Sequence, residues 1–154
     1  MNWTVATGVV AVYGALLSTW NALSTQWEKR RRLAVKISYG CETYGPQLGP
    51  YSIIVTALNK GTPSMTLSGA GIRLPDGRDT AYLGQSGNAR FPHELESGKS
   101  CLICLPVQSF AQQLKTAGFS GNVRLAGYYR DALDKTYLSK EFDFDVEEGM
   151  KFKD

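Results

Sequence analysis

Three groups of residues have types and spacings that could support chemistry. Cys101 and Cys104 are separated by two residues, a spacing found in metal and redox sites. His93 is the only histidine of the chain, and it could activate a cysteine as a nucleophile. Gly98-Lys99-Ser100 matches the end of a phosphate-binding loop. What each group can do depends on the element that carries it.

The elements predicted around these groups argue against catalysis. Residues 100–105 are predicted to form a strand, where residues three apart point to opposite faces, so Cys101 and Cys104 cannot hold one metal without a turn. The phosphate-binding loop requires a glycine where His93 stands, and a helix after it. We therefore predict no metal, no cofactor and no enzymatic activity. The alternative is a small enzyme or redox protein that uses His93 or one of Cys41, Cys101 and Cys104.

Charge is distributed unevenly along the 154 residues. The net charge is +3, from 17 Lys and Arg and 14 Asp and Glu. Residues 28–32 hold four of the cations and one of the anions. The rest of the chain therefore has 13 basic and 13 acidic residues. A nucleic-acid-binding domain usually has a basic face, so we predict no nucleic-acid partner. The odd number of cysteines, three, favours a reducing compartment.

Residues 1–27 contain no charged side chain and are predicted to form a transmembrane helix. Residues 3–23 have the length that crosses a bilayer, and Trp3 and Trp20 stand where aromatic belts are expected. Residues 28–32 form a basic juxtamembrane stop, which places the N-terminus outside and the rest on the cytoplasmic side of the inner membrane. The cations that we expect on anionic lipid are Lys29, Arg30, Arg31 and Arg32.

Small side chains recur along one face of this predicted helix. Thr7, Gly8, Ala11 and Ala15 are three or four residues apart, and such a stripe lets two helices approach closely in lipid. We predict that the helix pairs with itself or with another membrane protein. The alternative is a soluble ligand-sensing domain whose N-terminal helix packs within a complex.

Residues 33–146 have the alternation and turn signals of an antiparallel β domain. About seven strands and one short helix predict an immunoglobulin-like β-sandwich. Residues 40–50 and 84–96 are expected to be loops, and residues 147–154 a solvated tail. The predicted strands are 33–39, 51–58, 65–74, 80–83, 100–105, 122–130 and 137–146, and the predicted helix is 107–117.

Two surfaces of this domain are predicted to meet partners. Arg124, Tyr128 and Arg130 share the outer face of a predicted strand and form a possible partner patch. The second surface is an acidic edge near the C-terminus, which would dock a basic partner. Its residues are Asp143, Asp145, Glu147 and Glu148.

Residues 51–59, then Gly61, residues 63–67 and Leu74-Pro75-Asp76-Gly77, resemble immunoglobulin-like β-sandwich domains of small uncharacterised bacterial membrane-anchored proteins. The resemblance covers most of the domain. It departs from antibody domains, which have a Cys…Trp…Cys framework, because every tryptophan of this chain precedes the domain. The resemblance implies no known activity. We therefore predict a single-pass, membrane-anchored interaction module, such as an accessory subunit, adaptor or sensor, with a cytoplasmic immunoglobulin-like domain.

Overall fold

The computed structural model describes residues 3–28, 31–44, 47–81 and 87–152. These residues form three helices and nine strands. The helices are α1 (Trp3–Glu28), α2 (Val107–Thr116) and α3 (Val146–Gly149). The strands are β1 (Leu33–Tyr44), β2 (Gln47–Asn59), β3 (Met65–Arg73), β4 (Asp79–Ala81), β5 (His93–Leu95), β6 (Ser100–Pro106), β7 (Asn122–Asp131), β8 (Thr136–Leu138) and β9 (Phe142–Asp145).

The strands form two antiparallel sheets. One sheet has the order β1-β2-β6. The other has the order β4-β3-β7-β8, with β5 paired to β3 and β9 paired to β7. The prediction of a mainly β, antiparallel domain is confirmed.

One hydrophobic core includes side chains from both sheets. Ile53 and Val55 of β2 are completely buried, as are Ile72 of β3 and Tyr129 of β7. Because alternate residues of a strand share a face, these apolar positions form one inward row on each strand. The hydroxyl of Tyr129 donates a hydrogen bond of 2.9 Å to the carbonyl oxygen of Val55, which ties the two sheets together.

Helix α2 confirms the helix predicted between the strands. Its C-terminus has the expected glycine cap, since Gly118 has a φ of 91°, in the left-handed region. The amide of Phe119 donates to the carbonyl of Leu114, and that of Gly118 to the carbonyl of Lys115, each at 3.0 Å. The buried face of α2 consists of Val107, Phe110, Ala111 and Leu114.

Residues 40–50, expected to be a loop, instead continue the hairpin of β1 and β2. Cys41 pairs with Tyr51, and the pairing resumes between Thr43 and Leu48 after a shift of register. The shift lets the ladder continue past the turn-forming residues of this segment. Residues 45 and 46 lie outside the described residues.

The end of the chain also differs from the prediction. The single strand expected at 137–146 is two strands, β8 and β9, and the interruption includes Lys140, where the predicted inward row breaks. Part of the expected solvated tail folds as α3, because the side chain of Asp145 caps that helix. A short strand, β5, stands within the stretch expected to be irregular.

Helix α1 contains the described part of the uncharged N-terminal segment, from Trp3 onward. Within the described part of the chain, no helix is long and apolar enough to cross a membrane. The predicted transmembrane span therefore has no support in this structure.

Candidate functional site

A small pocket lies where the core-facing rows of β1 and β2 end in tyrosines. Tyr39 follows Ile37 on β1, and Tyr51 precedes the buried Ile53 on β2. Since alternate residues share a face, both tyrosines continue an apolar row to the margin of the core. Tyr39 is 41% exposed, so part of its side chain remains accessible from solvent.

Aromatic rings pack together in one wall of this pocket. The ring centroids of Tyr39 and Tyr51 are 5.4 Å apart, and those of Tyr51 and Phe152 are 4.7 Å apart, both in stacked arrangements. Phe142 meets Tyr39 edge-on, with 4.8 Å between centroids. These geometries are favourable for aromatic pairs, so the rings support one another in fixed positions.

Two carboxylates complete the lining of the pocket. Asp145 ends β9, and its Oδ1 accepts hydrogen bonds from the amides of Glu147 at 2.9 Å and Glu148 at 3.0 Å. This cap begins α3 and brings Glu148 to the pocket. The buried residues Val107 and Gly149 form the rest of the lining.

The pocket is electrostatically negative. Among the described residues, no lysine or arginine forms an ion pair with Asp145 or Glu148, whereas the neighbouring Glu147 lies 3.1 Å from the Nζ of Lys115. Burial raises the pKa of Tyr39, and the Tyr51 hydroxyl and the carboxylates of Glu148 and Asp145 raise that pKa further. The Tyr39 hydroxyl is therefore neutral at physiological pH and can donate a hydrogen bond.

The size of the pocket limits what it can hold. Its volume is about 150 Å³. A cavity of about 150 Å³ accepts a molecule the size of benzene, whereas drug-sized ligands and cofactors occupy pockets of roughly 300–1,000 Å³. The pocket therefore suits a single side chain or a small organic group.

The predicted partner patch on β7 differs in one residue from its expected exposure. Arg124 is exposed, with guanidinium nitrogens 3.7 Å from Glu141 and 3.9 Å from Asp143. Arg130 is 3.6 Å from Asp79. The expectation that Tyr128 is exposed between them is wrong, since Tyr128 is only 6% exposed. Its ring covers a glycine of β3, and its hydroxyl lies 3.5 Å from the Thr80 carbonyl oxygen. The role of this patch in partner binding stays a prediction.

The residues considered for catalysis are spread over three strands. Cys41 is exposed on β1, and Cys101 and Cys104 are buried on β6; none of the three forms a disulfide. Burial raises the pKa of the Cys101 thiol and outweighs the opposing hydrogen bond with Tyr129, so this thiol is a poor nucleophile. His93 lies on β5 and pairs with Leu67 of β3. No group of three potential metal ligands occurs among the described residues.

The described side chains of α1 expose large apolar groups. Trp20 is 72% exposed, Tyr13 65%, Leu16 64% and Leu23 52%. Ala15, the described member of the small-residue stripe, is exposed as well. The side chains of Thr7, Gly8 and Ala11 lie outside the described ones, as do residues Lys29 and Arg30, while Arg31 and Arg32 are exposed.

Polar side chains of α1 hydrogen-bond to the helix's own backbone. Thr19 donates to the carbonyl of Ala15 at 2.8 Å, and Ser24 and Thr25 donate to the carbonyl of Asn21 at 3.0 and 2.8 Å. A hydroxyl that is already paired costs less to transfer from water into an apolar environment. These bonds reduce the polarity that α1 presents to its surroundings.

No family model matches the chain, and no curated protein does. One solved structure that it resembles is the X-ray structure of Northeast Structural Genomics Consortium target SoR45, at 13% sequence identity and a TM-score of 0.34. The match covers 75% of this chain and 86% of that one. A likeness at this level carries no information on function. The function of the candidate site therefore has to follow from the chemistry of its own residues.

The sequence prediction did not identify the pocket. Its aromatic residues come from β1, β2 and the end of the chain, and no local pattern links them. One signal was visible: Asp145 and Glu148 belong to the acidic edge that was expected to dock a basic partner. The structure separates these two carboxylates, which line the pocket, from Glu147, which pairs with Lys115.

Proposed function

We propose that this protein is a membrane-attached, non-enzymatic interaction module of the adaptor or accessory-subunit type. Helix α1 holds the chain at the membrane, and the two-sheet domain, of immunoglobulin-like type, presents a partner-binding surface on the cytoplasmic side of a bacterial inner membrane. Its partner there is another membrane protein or a second copy of the chain.

The observation that carries the proposal is the surface of α1. The exposed side chains of Tyr13, Leu16, Trp20 and Leu23 belong to a helix without a charged residue before Glu28. A helix that lacks a charged face is normally covered by lipid or protein. The hydroxyl groups bonded to its own carbonyls lower the cost of placing them against lipid.

The cations that follow α1 support attachment to a membrane surface. Arg31 and Arg32 are exposed directly before β1. Each such cation near anionic lipid contributes about 1 kcal/mol to membrane binding. Helix and cations together supply the two signals that stable attachment generally needs.

Cell fractionation tests the attachment. We expect the full chain in the membrane pellet after a high-salt wash, because apolar contacts do not weaken with ionic strength as ion pairs do. Retention through an alkaline carbonate wash would support the sequence prediction of a single pass with the N-terminus outside. Recovery of the chain in the soluble fraction after the salt wash would refute attachment.

A pair of double variants makes the test specific to α1. Leu16→Lys with Trp20→Lys places two charges on the exposed helix and should release the chain into the soluble fraction. Leu133→Lys with Leu138→Lys makes a similar change at two exposed positions of the β domain and should leave the chain in the pellet. Equal behaviour of the two variants would contradict the role of α1.

A further inference from the structure

We infer that the pocket lined by Tyr39, Tyr51, Phe152, Asp145 and Glu148 binds a basic side chain, arginine or lysine, of a protein partner. This inference rests on the proposed function, because it names the chemistry by which the interaction module recognises its partner.

The carboxylates supply the charge that a basic group needs. The other acidic side chains around this end of the domain have cationic partners, as Glu147 has Lys115 and Asp143 has Arg124. In the described part of the chain, Asp145 and Glu148 have no such partner. The Oδ1 atom of Asp145 caps α3, which leaves Oδ2 and both oxygens of Glu148 for an incoming cation.

The aromatic wall supplies the contact for the stem of a basic side chain. Lysine and arginine carry apolar methylene stems that pack on apolar surface while the charged head reaches polar groups. A cation close to an aromatic face is attracted by the ring, and arginine also stacks on such rings. The pocket volume of about 150 Å³ admits one such side chain.

Other ligand classes fit the pocket less well. An anion would meet the carboxylates of Asp145 and Glu148, and the described lining of the pocket contains no lysine or arginine to offset them. A hard metal ion such as Ca²⁺ requires about six to eight oxygen ligands, and one of the few oxygens here is committed to the cap of α3. A nucleotide or an organic cofactor exceeds the volume of the pocket.

Nuclear magnetic resonance titration of the full chain in an uncharged detergent tests the inference. The probes are N-acetyl-arginine amide and N-acetyl-lysine amide, with N-acetyl-citrulline amide as an uncharged analogue of the arginine probe. We expect saturable shifts of the Gly149 and Phe152 amides with at least one basic probe, in the millimolar range, and binding of citrulline at least about tenfold weaker. Absence of saturable shifts up to about 50 mM of either basic probe, or equal binding of citrulline, would overturn the inference.

Two neighbouring variants provide a matched comparison. Glu148→Gln removes a carboxylate of the pocket and should weaken binding of the basic probe about fivefold to tenfold. Glu147→Gln removes one charge from the same turn, at a residue that pairs with Lys115, and should change binding by less than about twofold. Asp145→Asn keeps a residue suited to the cap of α3 and should also weaken binding. Equal effects of Glu148→Gln and Glu147→Gln would assign probe binding to general surface charge and would overturn the inference that the pocket binds the basic group.

This experiment and the fractionation can fail independently. The titration is done in detergent and does not depend on attachment to a bilayer, whereas the fractionation of the chain does not depend on the pocket. Loss of probe binding with retention in the membrane pellet would therefore reject the ligand and leave the proposed attachment intact.

Discussion

Replacement of Gly71 by alanine should detach the edge strand β4 from β3. Gly71 pairs with Ala81, and a Cβ atom added to Gly71 would overlap the backbone carbonyl oxygen of Thr80 and lie 2.9 Å from Cε1 of Tyr128. The Thr80 oxygen belongs to the backbone, so no change of rotamer can relieve the overlap. Gly69, two residues earlier in the same strand, has no atom within 4 Å of such a Cβ and provides the matched control.

The expected loss of stability follows from the contacts that hold β4. The hydroxyl of Thr80 donates to the Ile72 carbonyl at 2.8 Å and accepts from the Ile72 amide at 3.3 Å. Arg73 makes two bonds to Asp79, of 2.8 and 3.0 Å. At about 1 kcal/mol for a hydrogen bond and at most about 1 kcal/mol for a partly exposed ion pair, detachment of β4 costs roughly 2–3 kcal/mol. Gly69→Ala should change the free energy of unfolding by less than about 0.5 kcal/mol.

Urea unfolding of the full chain, followed by near-ultraviolet circular dichroism, measures this difference. Tyrosine signals are required because all three tryptophans precede residue 28 and do not report on the β domain. Hydrogen exchange provides a second measurement, in which the amides of β3 and β4 should lose protection in Gly71→Ala alone. Free energies of unfolding of Gly71→Ala and Gly69→Ala that agree within about 0.5 kcal/mol would refute the close approach of the Thr80 carbonyl oxygen to Gly71.

Three further predictions concern stability. Asn59→Ala should lower the free energy of unfolding by about 3–4 kcal/mol, because the buried Asn59 side chain makes three hydrogen bonds. These bonds join it to Pro63 at 2.9 Å, Leu95 at 3.0 Å and Gly61 at 2.9 Å. The control Asn122→Ala, at an exposed position, should lower it by less than about 0.5 kcal/mol in the same urea assay. Tyr129→Phe should cost about 1 kcal/mol by removing the hydroxyl bonded to Val55, and a free energy equal to that of the native chain would contradict the link between the sheets. The hydrogen bond from Arg73 chiefly lowers the pKa of Asp79 below its ordinary value of 3.8, so the stabilisation by this pair is present above that pH and is lost as the pH falls through the lower folded-state pKa. The advantage of the native chain over Asp79→Asn, at most about 1 kcal/mol at pH 7, should therefore shrink on acidification below about pH 4, and an advantage that grows there would contradict the assigned sign.

Local patterns were sufficient for much of the fold. The alternating row of Val123 and Leu125 identified β7, and the apolar face of residues 107–117 with Gly118 after it identified α2 and its cap. Such signals depend on a few neighbouring residues and on turn chemistry. They are readable without knowledge of the partner strands.

The features that sequence reasoning missed depend on distant contacts. Glycines and prolines between residues 40 and 50 indicated a loop, but β1 pairs with β2 at Cys41 and Tyr51 and, after the shift of register, again at Thr43 and Leu48. Strand alternation places Tyr128 on the face of Arg124 and Arg130, yet it is buried because β4 and Gly71 stand beside it. The pocket required Tyr39, Tyr51 and Phe152 to meet, and their meeting follows only from the assembled fold.

The three cysteines differ sharply in their access to solvent. Cys41 is exposed, whereas Cys101 and Cys104 are each 1% exposed. Cys41 is also the cross-strand partner of Tyr51, and directly opposite side chains on an antiparallel pair are about 5 Å apart at their Cβ atoms. A thiol-reactive fluorine or fluorescent label should therefore modify the native folded chain at one position. That label would stand beside the aromatic wall and give a local signal for occupancy of the pocket, without any engineered cysteine.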